Sequence, residues 1–287
     1  MTNVMLELYK IKNTEFLNPN ELYSNPNIYP NFQLNFEIFK EELKKFSINK
    51  NGYSYFKFGD GDYAVLNNKQ HGSAKPGVRD IKKNYFKKLD LEKVIEYSKK
   101  SDFYCCEIIN FKLFEETFGK KPNYPAEYLY GVVANRWIFS NFDKIGLIGA
   151  DKKINLINEL ISFPEYQQYI GKDCFESLIA IPQTGALTNA DKIFKKIKNQ
   201  INNEVDIYLI GVGHAQTILL PLLKEIIDVP IVSIGCGMDA IAGLIDINRP
   251  YFGKWINFRV SNESLYKGII DPYLFTTNDP SSIAYLN

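Results

Sequence analysis

The chain has 287 residues, and a hydrophobic content of 45% is enough to bury a core. Its 34 Lys and Arg against 33 Asp and Glu leave a formal charge of +1, which provides no basic footprint for nucleic acid. No apolar run reaches the length of a membrane span, and the four cysteines lack CxxC spacing, which disfavours a zinc site or a disulfide framework.

Residues 1–34 are rich in Asn, Pro and Tyr and read as an irregular arm. Met1–Tyr9 lacks the basic-then-apolar pattern of a signal peptide, so a reducing, cytoplasmic setting is expected. Phe36, Phe39, Leu43 and Phe46 recur at helical spacing, so residues 1–50 form a helical or irregular N-terminal arm. Residues 51–287 read as a Rossmann-like domain. Its strand candidates are Tyr53–Phe58, Phe103–Ile109, Ile145–Gly149, Ser177–Ile181, Ile207–Gly211 and Ile231–Ile234. Helical patterns lie between them at Val78–Lys88, Leu91–Lys99, Ala126–Ser140, Lys153–Ile161, Asn189–Lys198 and Ala215–Ile227. This alternation predicts an α/β fold, a mainly parallel sheet with helices on both faces. The tail after Trp255 reads as irregular with short strand-like pieces.

Ligands of such sheets lie outside the carboxyl ends of the strands, so residues just after strands are the ones to weigh. Gly59-Asp60-Gly61-Asp62 follows the first strand candidate. Glycines there permit close approach of a ligand, and two carboxylates one residue apart suit a hard divalent cation, Mn²⁺ or Mg²⁺. The same residues also make an ordinary tight turn. Gly211-Val212-Gly213-His214 joins a strand to a helix and reads as a phosphate loop or as plain turn glycines. Gln216 stands where the dinucleotide fingerprint wants a third glycine. His214 and Thr217 are the side chains nearest such a ligand, although His214 is equally read as a helix-start residue.

Gly235-Cys236-Gly237 repeats the pattern one strand later, with Asp239 behind it. The glycines are similar to a methyltransferase loop for S-adenosylmethionine, but that loop follows the first strand of such folds. Asp239 suits a ribose, a sugar hydroxyl or the metal, or simply a helix N-terminus. Arg136 is one of four arginines and stands in an apolar helical pattern, so it should meet a buried carboxylate or a diphosphate. His71 lies in a polar loop that reads as a lid or as solvated chain.

Phe58-Gly59-Asp60-Gly61-Asp62 resembles the RFGDGE element of the GT-D type glycosyltransferase domain. Over about Ser54 to Gly243 the order of elements is similar, including Asn135-Arg136-Trp137, the Gly211 turn and Asp239. Lys57 stands for the family's Arg, and Asp62 for its Glu. The resemblance implies a Rossmann-like, metal-dependent enzyme that uses a nucleotide-sugar donor, UDP-linked above all, and a glycan or other hydroxyl acceptor. It places the metal on Asp60 and Asp62 and the donor at Gly59, Gly61, Arg136, Gly211, Gly213 and His214. The catalytic carboxylates become Asp62 and Asp239, with His71 a third candidate for the base. The competing expectations are a Rossmann-type methyltransferase and a non-catalytic nucleotide-binding scaffold.

Overall fold

The computed structural model describes residues 32–67, 90–183, 185–245, 252 and 255–266. Helix α1, Phe32–Ile48, precedes strand β1, Ser54–Phe58, which is followed at once by α2, Asp60–Leu66. Then come α3 (Leu91–Ser98), β2 (Phe103–Cys106), α4 (Phe111–Phe118), β3 (Tyr124–Pro125), α5 (Ala126–Ala134) and α6 (Trp137–Asn141). The second half runs β4 (Ile145–Ala150), α7 (Asp151–Leu160), α8 (Pro164–Ile170), β5 (Ser177–Ile181), α9 (Ala190–Ile197), β6 (Ile207–Gly211), α10 (Gln216–Lys224), β7 (Ile231–Ser233) and α11 (Gly237–Ile241). Helices α12 (Ile256–Ser261) and α13 (Glu263–Tyr266) complete the described elements.

The seven strands form one parallel sheet in the order β3-β2-β1-β7-β6-β4-β5. Every residue of β4 and β6 is buried, the pattern of strands covered on both faces. Helices α2, α3, α9 and α10 pack on one face, and α1, α5, α7 and α11 on the other. The α/β, Rossmann-like arrangement predicted from the alternation is therefore present. Because β1 lies between β2 and β7, the carboxyl ends of the first, second, sixth and seventh strands meet at the middle of one sheet edge.

Packing explains the local departures from expectation. Phe36, Phe39 and Leu43 of α1 are buried, and Phe39 meets the rings of Tyr55, Tyr124 and Tyr128 at 5.1–5.8 Å. Each such aromatic pair contributes about 0.5–1.5 kcal/mol beyond area burial, so α1 belongs to the core of the sheet. The helix expected over Ala126–Ser140 is broken, because Arg136 adopts a left-handed conformation, φ 57°, between α5 and α6. The described part of the tail after Trp255, residues 256–266, is helical rather than strand-like. Phe258 stacks on Tyr169 at 4.2 Å and meets Tyr166, contacts between distant segments that no local pattern announces. The helix expected at Val78–Lys88 lies outside the described residues.

Candidate functional site

Strand β1 stops at Phe58 because Gly59 takes the N-cap place of α2, and the helix begins at Asp60 without any loop. Asp62 is then the third helical residue, where a carboxylate reaches back to the free N–H groups of the first turn. Its Oδ2 accepts the Gly59 N–H at 3.0 Å. Its Oδ1 accepts the Gln216 amide at 3.1 Å and lies 3.3 Å from His214 Nδ1. Burial disfavours the charge of Asp62, but the hydrogen bond and charge of His214, the Lys57 ammonium and the Gly59 N–H outweigh it. They hold the carboxyl below the ordinary aspartate range.

Gln216, the residue that spoils the glycine fingerprint, ties four elements together. Its amide also donates to the Lys57 carbonyl at 2.8 Å, and its oxygen accepts the Ser233 hydroxyl at 2.6 Å. The side chain thus links β1, α2, β7 and the start of α10, and fixes Asp62 against the turn that carries His214.

Lys57 is the fourth residue of β1, and its ammonium passes over the sheet edge to Glu107, 3.1 Å away. Glu107 follows β2 directly. It also accepts the Tyr130 hydroxyl at 2.6 Å and the Asn110 amide at 2.9 Å. Burial works against the charge of Lys57, but Glu107 and then Asp62 more than offset it and raise Lys57 above the ordinary lysine value. A Cβ at Gly59 would stand 2.8 Å from the Lys57 ammonium, and one at Gly235 would stand 3.6 Å from its stem. These two glycines leave room for the lysine across the end of the sheet. Sequence reasoning missed Glu107 as a site residue. Its place just after a strand, at the edge where ligands bind, was the available signal.

Several predicted residues stand elsewhere. Asp60 and Asp62 do not converge. Residues two apart on a helix project about 200° from each other, and here Asp60 is exposed while Asp62 is buried. Asp60 accepts the Gly61 N–H at 2.8 Å. With the oxygens of Asp62 taken by N–H donors and an ammonium nearby, the pair does not fit a divalent ion held between them. Among the described residues no group of three His, Cys, Asp or Glu is gathered for a metal. Arg136 is not brought to this group either. It precedes α6, which leads into the amino end of β4, and its guanidinium stacks on Tyr169 and Trp255, 4.3 and 4.7 Å from the ring centres. Asp239 is turned to α7, where Lys153 lies 2.5 Å from Oδ1 with both side chains 6% exposed. His71 lies outside the described residues.

The glycines divide by role. Gly211 pairs with Gly149 across β6 and β4, and a Cβ on Gly211 would stand 2.4 Å from Met238. Met238 therefore fills the crevice between these strands, where helices leave for opposite faces and a ligand would otherwise enter. Gly237 is enclosed by Ile234 and Phe252, which is packing and not a cofactor loop. Gly213 is different: it has φ 53° and open space around it, and it sets the turn that presents His214.

Comparison of the chain with family models, with curated proteins and with solved structures returned no match. No helix among the described residues is long and apolar enough to cross a membrane.

Proposed function

We propose that the chain is a glycosyltransferase that moves a sugar from a nucleotide-diphosphate sugar, UDP-linked, to a hydroxyl of a glycan or similar acceptor. The observation that carries this reading is the gathering of Lys57, Asp62, Glu107 and His214 at the carboxyl ends of β1, β2 and β6. Three of these four flank or belong to segments whose residues resemble the GT-D type glycosyltransferase domain. Breaking an anomeric bond leaves charge on a diphosphate, and a fixed cation aimed at that charge stabilises the transition state. Lys57 supplies such a cation, held in place by Glu107. Gly59 and Gly235, without side chains, leave room for the lysine to reach across the end of the sheet. Asp60 and Asp62 do not fit Mn²⁺ or Mg²⁺ between them, so the fixed charge in the proposed transfer is that of Lys57.

Thermal unfolding with UDP, uridine and pyrophosphate tests it, since a ligand that binds only the native state raises the melting temperature. UDP should stabilise more than uridine, and Lys57→Met should remove most of that difference. Equal shifts with UDP and uridine, or no shift with either, contradict the reading.

A further inference from the structure

We propose that Asp62 and His214 form a proton-transfer dyad, with His214 as the general base for the acceptor hydroxyl and Asp62 as the residue that positions it. The chemistry assigned to the dyad rests on the sugar-transfer reading above. Its geometry does not. An ionised carboxylate only accepts hydrogen bonds, so the contact between Asp62 Oδ1 and His214 Nδ1 at 3.3 Å puts a proton on Nδ1. In the neutral ring the lone pair is then on Nε2. Among the described residues the imidazole has Asp62 as its hydrogen-bond partner, and its side chain is 37% exposed against 7% for Asp62. One nitrogen is thus anchored in the protein, on a ring that is itself more than a third exposed.

The anchoring is extensive for a mere turn. Asp62 is fixed on its other side by Gly59 and Gln216, and Gln216 is fixed in turn by Ser233 and the Lys57 carbonyl. The His214 carbonyl accepts the hydroxyl of Thr217, which is fully buried. A base oriented by a second group, itself oriented by the fold, is the arrangement that makes an imidazole an effective proton acceptor. In the step proposed, the acceptor oxygen bonds to the anomeric carbon as its proton passes to Nε2. The bond from that carbon to the phosphate oxygen breaks, and its electron pair leaves with the diphosphate beside Lys57. The imidazolium formed is stabilised by Asp62. A single displacement of this kind inverts the anomeric centre. It also accounts for a paired-aspartate motif whose second carboxylate faces a histidine instead of a divalent metal ion.

The chain has two histidines, so a His71→Gln chain with ¹⁵N-labelled histidine shows His214 alone. In the neutral ring the Nδ1–H tautomer should dominate, and Asp62→Asn should abolish that preference. A dominant Nε2–H tautomer in the parent, or one unchanged by Asp62→Asn, overturns the dyad. The kinetic arm is UDP release from a panel of UDP-hexoses. His214→Gln should lower kcat about a hundredfold or more, the usual contribution of a positioned base, with little change in KM. Parent-like turnover in His214→Gln overturns the assignment. If no UDP-hexose binds or reacts, the sugar-transfer reading fails and the tautomer alone decides the dyad. Should Asp62→Asn not fold, the tautomer of the parent and the turnover of His214→Gln still decide between dyad and turn.

Discussion

Asp62 concentrates what single residues do in this molecule. Its carboxylate caps the turn at Gly59, holds Gln216 and faces both His214 and Lys57. Because its folded value is lowered, the stabilisation it gives is present above the ordinary aspartate value and is lost as pH falls through and below about 4. Melting temperatures of the parent and Asp62→Asn should therefore differ most near neutrality and converge as pH falls below about 4. A gap that is constant with pH would mean that the charge of Asp62 contributes nothing. The carboxylates themselves were legible in the sequence, as was the end of β1 before Gly59. Their partnership was not, because a strand-end loop and a helix that begins at Asp60 are written with the same residues. Only the second sends Asp60 to solvent and Asp62 inward. Glu107 carried no motif at all, and its role depends on β2 lying beside β1.

At the scale of elements, the two glycines of the β6–α10 turn were equivalent in the sequence and are unlike in the fold. Gly211 is a packing position, since a Cβ there meets Met238 at the first turn of α11, whereas Gly213 faces open space with a positive φ. Overpacking a tight contact typically costs about 1–3 kcal/mol, and asparagine tolerates the left-handed conformation better than other residues with side chains. Gly211→Ala should accordingly lower stability in urea by that amount, while Gly213→Asn should change it little. The opposite order would show that Met238 does not occupy the β4–β6 crevice. The break at Arg136 follows the same logic: apolar periodicity runs through Ala126–Ser140, but stacking of the guanidinium on Tyr169 and Trp255 favours a left-handed residue between two helices. Gln216 read as a flaw in a glycine fingerprint, and its value as a brace appears only when β1 and β7 are neighbours.

For the whole molecule, the strand and helix alternation sufficed to foresee a parallel sheet covered on both faces, because apolar runs and 3.6-residue periodicity are local signals. Strand order is not local. The placement of β7 against β1 joins segments about 175 residues apart, and it is what brings the Lys57, Asp62 and His214 segments to one edge. The same absence of local signal hid the helical character of Ile256–Tyr266, which rests on Phe258 packing against Tyr166, Tyr169 and Tyr266. The ligand edge proposed above lies over β1, β2 and β6 and not in the β4–β6 crevice that Met238 fills. Backbone amide shifts recorded during a UDP titration distinguish the two. The largest changes should fall at Lys57–Asp62, Glu107, Gly213–Gln216 and Gly235. Changes centred on Gly149–Asp151 and Gly211, with Lys57 and His214 undisturbed, would contradict the claim.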